Sequence, residues 1–263
     1  MKKTILITGS TDGIGLLTAK KLASAGHKIL LHGRSATKLK SASIEVGHDC
    51  ESYEADLSSI SDIQKLADAV KSNHDKIDVL INNAGVFVIP NPITKDGYDG
   101  RIMVNTIAPY HLTKLLLPLM DEHARVVNLS SAAQSAVTSG AFSKDARLTD
   151  GDAYAQSKLA LTMWSIELAS SLGDNAPAII AVNPGSFLAS KMVKDAYGVA
   201  GKDLNHGADI LIRAALDEEF ASASGKYFDN DSGRFANPHR DALVSSKNTQ
   251  VVHAIENVIN ELI

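Results

Sequence analysis

The chain has 263 residues, of which 44% are hydrophobic and 21% charged, proportions of a globular protein with a sizeable core. A net charge of -4, with Lys and Arg scattered rather than clustered, excludes a basic footprint for nucleic acid and a polybasic membrane patch. The single cysteine, Cys50, excludes an intrachain disulfide and suits a reducing compartment.

The chain opens with Lys2-Lys3 and the apolar run Ile5-Leu6-Ile7. Polar residues and glycine end that run too early for a signal peptide, and no stretch approaches the length of a membrane span. A cytoplasmic protein without membrane insertion is expected.

Ile5-Leu6-Ile7 reads as a buried strand, followed by a helix over Ile14–Ala25. A strand at Lys28–His32, a helix at Ala36–Val46 and a short strand at Glu51–Glu54 come next. A helix over Ile60–Ser72 leads to a strand at Asp78–Ile81. Tyr98–Met120 reads as two helical segments around Asn105, with Pro109 marking a first turn or a kink. Arg125–Leu129 is a fifth strand, Tyr154–Leu172 a long helix and Ala178–Val182 a sixth strand. Lys226-Tyr227-Phe228 adds a seventh strand, and the irregular stretch Asp229–Asp241 leads to a C-terminal helix.

Alternation of strand and helix at this spacing predicts an α/β fold. Its sheet is doubly wound, mainly parallel and Rossmann-type, with helices on both faces. The ligand crevice then lies beyond the carboxyl ends of the strands. With no internal repeat or linker, residues 1–263 read as one domain. It carries a flap at about 132–151 and a substrate-side segment at about 186–205.

Three groups of residues mark that crevice. Gly9, Ser10, Thr11, Asp12, Gly13, Ile14 and Gly15 join strand one to helix one. Glycines there let the backbone approach a pyrophosphate, and the helix start presents free amides to it. Arg34 and Ser35 end strand two, where an acidic residue would hold ribose hydroxyls and favour NAD. Arg34 instead offers a guanidinium fork suited to a 2′-phosphate, so NADP is expected over NAD, with Asp12 a counterweight. Asp56 and Leu57 after strand three, with Asn83, Ala84 and Gly85 after strand four, are placed to line the adenine side.

Tyr154 and Lys158 lie one helical turn apart, so the ammonium can sit beneath the phenol. A nearby cation favours phenolate, which suits a general acid/base working near neutral pH.

Thr8–Gly15, Asn82–Gly85, Asn105, Ser130-Ser131, Tyr154/Lys158 and Pro184-Gly185 occur in the order found in the short-chain dehydrogenase/reductase family. Tyr110–Pro118, the long spacer from Ser131 to Tyr154, and Gly225-Lys226-Tyr227-Phe228 resemble its retinol dehydrogenase-like branch. The resemblance implies an oxidoreductase that interconverts a carbonyl and an alcohol on a small-molecule substrate. Tyr154 would exchange the proton, Lys158 would assist it and bind the nicotinamide ribose, and Ser131 would bond the reacting oxygen. Ser130 is the neighbouring alternative to Ser131. Asn105 would hold a water linking Lys158 to solvent, and Pro184, Gly185 and Ser186 would shape the nicotinamide pocket.

The family often has a threonine shortly after that Pro-Gly. Here Ser186 or Ser190 stands nearby. The resemblance also implies a homodimer or homotetramer, formed through the helices of Ile107–Met120 and Tyr154–Leu172. Two other outcomes stay open on the same fold: a nucleotide-binding sensor without turnover, and an epimerase or dehydratase.

The nine histidines lack metal-ligand spacing, so no metal is expected. His111 and His206 read as packed or surface residues, Trp164 as core, and Asp217-Glu218-Glu219 as a solvated helix end. Phe87, Phe142, Phe187, Met192 and Tyr197 are candidates for a substrate pocket.

Overall fold

A computed structural model describes residues 1–47, 49–144, 146–188 and 201–263. Ser190, Met192 and Tyr197 therefore lie outside the described residues. Strands β1 (Thr4–Ile7), β2 (Lys28–Gly33), β3 (Cys50–Glu54), β4 (Val79–Asn82), β5 (Arg125–Leu129), β6 (Ala178–Asn183), β7 (Tyr227–Asp229) and β8 (Arg234–Ala236) form one sheet. The order is β3-β2-β1-β4-β5-β6-β7-β8. Every neighbouring pair is parallel except β7 and β8.

Side chains alternate along each strand, and that alternation builds two cores. Leu6, Leu30, Leu80, Val126 and Ile179 face one side. Helices α3 (Ile60–Asn73), α5 (Ala108–Leu116), α6 (Asp150–Leu172) and α8 (Ser245–Leu262) cover it. Ile5, Ile7, Ile29, Leu31, Ile81, Val127 and Val182 face the other side, beneath α1 (Gly13–Ser24), α2 (Ala36–Val46) and α7 (Leu204–Leu216). Each of α1, α2, α3, α6 and α7 begins at a polar cap whose side chain accepts an early backbone N–H: Asp12, Ser35, Ser59, Thr149 and Asp203.

Strand order reverses between β1 and β4, each of which pairs with the other and with a different second neighbour. That reversal opens the crevice at the carboxyl ends of the strands. The interruption expected around Asn105 is a π-helical turn over Met103–Ile107, between α4 (Gly100–Ile102) and α5. Pro109 lies in the first turn of α5.

Two expectations change. The stretch Asp229–Asp241 is not wholly irregular, because a turn through Gly233 (φ 68°) folds β8 back against β7. The flap ends earlier than expected: Thr149 caps α6, so the helix carrying Tyr154 starts at Asp150. Trp164 is fully buried and meets the Tyr110 ring edge-on at 5.5 Å.

Candidate active site

At the end of β1 the chain turns through Gly9 at φ 63° and enters α1 through Gly13 at φ 55°, both in the left-handed region. A Cβ on Gly9 would lie 2.8 Å from Ala84 Cα, and one on Gly15 would lie 2.4 Å from Asn83 Nδ2 and from Gly9 O. Glycine is thus required by close backbone approach as well as by φ. Asn83 Nδ2 donates to Thr8 O and Gly9 O, each at 2.9 Å, and the Ala84 N–H donates to Thr8 Oγ1 at 3.0 Å. Asn83 and Ala84 therefore brace the glycine turn from beneath. Gly85 follows, half-buried.

Asp12 accepts from the Gly13 N–H at 2.8 Å and pairs with Lys38 Nζ at 3.7 Å. The charge weighed against a 2′-phosphate is therefore partly offset. Arg34 is exposed beyond β2, and Ser35 caps α2. Arg34 lines a pocket of about 240 Å³ with Glu54, Ala55, Asp56, Asp62 and Lys65. Asp56 accepts from Ser58 N at 2.9 Å, while Leu57 is buried in the core. Ser10 is fully buried, its hydroxyl bonded to the His32 backbone, and Thr11 packs over Gly33.

On α6, Lys158 is 4% exposed and donates to Leu129 O at 2.7 Å. Its ammonium lies 5.7 Å from the centre of the Tyr154 ring. Burial pushes the Lys158 pKa down to about 8, since a low-dielectric site disfavours the charged form. Tyr154 is half-buried, with the Phe87 ring tilted against it at 4.6 Å. Asn105 ties the neighbourhood together from the π turn. Its Oδ1 accepts from Val86 N at 2.8 Å, and its Nδ2 donates to Val86 O and to Ser157 Oγ, each at 2.9 Å.

The two serines after β5 diverge. Ser130 turns inward, 3% exposed, with its Oγ 2.7 Å from Thr162 Oγ1. Ser131 is half-buried, and its Oγ accepts from Ala133 N at 3.1 Å. The Ser131 carbonyl accepts from Tyr227 OH at 3.1 Å and Gln134 Nε2 at 2.9 Å.

After β6, Asn230 Nδ2 holds Pro184 O at 2.9 Å, and Gly185 takes φ 119°. Ser186 N donates to both Asp231 carboxylate oxygens, at 3.0 and 3.1 Å, and Ser186 Oγ donates to Asp231 Oδ2 at 2.5 Å. The Ser186 hydroxyl is thus committed to the β7–β8 turn in this arrangement. Phe187, exposed, follows at φ 54°. Among the described residues, no group of three or more His, Cys, Asp or Glu could hold a metal ion, and no helix is long and apolar enough to cross a membrane.

Residues 3–198 match the short chain dehydrogenase family. The chain belongs to this family. As a short-chain dehydrogenase it is similar to the Bos taurus protein "Retinol dehydrogenase 12", with 31% identity over 99% of this chain and 86% of that one. Its fold is also that of an uncharacterized protein from Mycobacterium paratuberculosis (TM-score 0.82, 26% identity, 98% of this chain and 93% of the other). A metagenomic short-chain oxidoreductase solved in complex with NADP gives a TM-score of 0.63 at 28% identity, over 83% of this chain and 93% of that one. The chain is therefore an NAD(P)-dependent oxidoreductase of alcohol and carbonyl groups, in the retinol dehydrogenase-like branch.

The residues present fit such a cofactor. The first-turn amides of Ile14 and Gly15 have no carbonyl within their own helix to bond, and a Cβ on Gly13 would enter open space. Lys158 has three donors, of which Leu129 O takes one. Three supporting residues were not expected from the sequence. In the sequence Tyr227 reads only as part of a strand, Asp231 only as loop, and His32 only as a strand end. Each acts through a partner far away in sequence, so no local pattern marks it.

Proposed function

We propose that the protein is an NADP-dependent oxidoreductase interconverting a ketone or aldehyde with an alcohol, in which Tyr154 exchanges the proton. The observation that carries this reading is the buried Lys158 ammonium beneath the Tyr154 ring. A cation held there stabilises phenolate over phenol, so Tyr154 can give a proton to a developing alkoxide and recover it in oxidation. Ser131, the more open of the two serines, donates to the same oxygen, where charge develops.

Asn105 fastens the π turn to Ser157 on α6 and to Val86 beyond β4. It thereby fixes the helix that presents Tyr154 and Lys158, and its widened turn is the place for a water leading from Lys158 to solvent. The nicotinamide group, when bound, supplies or accepts the hydride. The Gly9–Gly15 turn and the start of α1 hold the pyrophosphate. Asp56, Leu57, Asn83, Ala84 and Gly85 flank the adenosine side, and Pro184, Gly185 and Ser186 the nicotinamide side.

Preference for NADP rests on Arg34, which stands exposed where an acidic residue would select NAD. Lys38 supports it by pairing with Asp12. Replacing Tyr154→Phe tests the whole reading against a panel of carbonyls. NADPH binding, followed by fluorescence titration, should be unchanged while turnover falls by at least about a thousandfold, at the scale of general acid/base catalysis. Turnover within tenfold of the parent would remove Tyr154 from the chemistry. In the same assays Arg34→Ala should weaken NADPH and leave NADH unchanged. Equal losses would remove the 2′-phosphate contact.

A further inference from the structure

His32 sits at the end of β2, 3% exposed, where three chain segments converge. Its Nδ1 lies 3.1 Å from Gly9 N, at the first glycine of the turn. Its Nε2 lies 3.1 Å from Ala55 O, just beyond β3. Its own N–H donates to Ser10 Oγ at 2.9 Å, and its carbonyl accepts from Ser10 N at 3.0 Å. A backbone N–H can only donate and a carbonyl can only accept, so these two ring contacts admit one tautomer. Nδ1 carries the lone pair and Nε2 the proton. Burial holds the ring neutral, its pKa pushed down to about 4, so the acceptor at Nδ1 persists at neutral pH.

We propose that His32 is a positioning residue for cofactor binding: a rigid imidazole strut that sets the Gly9 turn at a fixed distance from the adenine side of the crevice. Asn83 and Ala84 brace the turn from the other flank, and Ser10 ties it to the His32 backbone; the imidazole adds the contact to the Gly9 N–H itself. Gly9 has no side chain of its own to anchor it, and at φ 63° it holds a left-handed conformation that glycine can readily leave for others. The strut also ties the turn to the strand ends carrying Arg34 and Asp56. One planar group thereby coordinates the pyrophosphate and adenosine sides.

The inference rests on reading the glycine turn as the cofactor cradle. Gly15→Ala tests that reading separately, since its Cβ would lie 2.4 Å from Asn83 Nδ2 and Gly9 O. Two half-deletions test the strut. In His32→Asn the amide oxygen takes the place of Nδ1 and keeps the bond from Gly9, while the reach to Ala55 is lost. In His32→Gln the amide nitrogen takes the place of Nε2 and keeps Ala55, while the Gly9 N–H loses its acceptor.

NADPH dissociation constants, melting temperatures of the cofactor-free protein, and exchange of the Gly9 amide proton are measured for all three variants. His32→Gln should bind NADPH about tenfold more weakly, equivalent to about 1.4 kcal/mol, with faster Gly9 exchange and kcat at saturating NADPH within about twofold. His32→Asn should stay within about threefold of the parent in affinity. If both His32 variants lose affinity in step with melting temperature, His32 serves stability alone and the proposal fails. If Gly15→Ala abolishes binding while His32→Gln retains parental affinity, the cradle stands and the strut does not. If Gly15→Ala binds NADPH normally, the cradle reading itself is wrong.

Discussion

A lysine at the base of the candidate site is held where charge is disfavoured. Lys158 is pushed down to about 8 by burial, so the folded state binds its proton less tightly than the unfolded chain does. The sign follows: the penalty is fully present below about pH 8 and disappears as pH rises towards the ordinary lysine range near 10.5. At about 1.36 kcal/mol per unit, it amounts to about 3 kcal/mol. Lys158→Met should therefore abolish turnover and yet raise the melting temperature of the cofactor-free protein at pH 7. The gain should shrink between pH 8 and 10.5, a trend that thermal melts across that range would reveal. A melting temperature that falls at pH 7 would show the Leu129 hydrogen bond outweighing the charge. At this scale the sequence is informative wherever neighbouring residues carry the chemistry. The Tyr154/Lys158 pair is visible because four residues span one helical turn. The choice between Ser130 and Ser131 is not, because it depends on Thr162 lying opposite.

Elements show the same division. Strands β1, β2, β4, β5 and β6 are visible as short runs rich in Ile, Val and Leu, and β7 as an aromatic pair, while β3 (Cys50–Glu54) has none of the three and is placed by its position between two helical stretches. β8 has only Arg234, Phe235 and Ala236, set among Asn, Asp, Ser, Gly and Pro residues that read as loop. It matters because the β7–β8 turn carries Asp231. Burial alone would raise the Asp231 pKa, but hydrogen bonds from Ser186 and Asn183 outweigh it and hold the carboxyl below its usual range. A carboxylate that accepts from Ser186 N, Ser186 Oγ and Asn183 Nδ2 fixes the loop after β6. Asp231→Ala should lower kcat/KM about tenfold while lowering the melting temperature by only a few degrees, a loss of about 1 kcal/mol, because water can reach the exposed Ser186 donors that the carboxylate leaves. Steady-state kinetics beside thermal melts would check this. A melting loss with unchanged kinetics would confine the turn to a stabilising role.

Across the whole molecule, α8 acts as a clasp. Val251, Ile255, Val258 and Ile259 are buried in the core shared with α6. Tyr98 OH and Tyr110 OH donate to Glu261 and Glu256 on α8, each at 2.6 Å. The helix bearing Tyr154 and Lys158 is thus packed between the sheet and α8 within one chain. Ile255→Ala should destabilise by about 2–5 kcal/mol, the cost of a large-to-small change at a fully buried site. Below the melt, kcat should hold within about twofold. Chemical denaturation would give the first value, and a loss under about 1 kcal/mol would mean that α8 is loosely docked. The two-sided α/β architecture was readable from alternation alone. This clasp was not, because its contacts join residues about 150 apart.

The Ser186–Asp231 connection also bears on how the protein can be recombined with its relatives. Residues 183–186 and 229–231 form one hydrogen-bonded unit, although more than forty residues separate them. A chimera that exchanges the segment between β6 and β7 must therefore inherit both ends from one parent. A junction placed between them would pair a loop with a hairpin that never evolved to hold it.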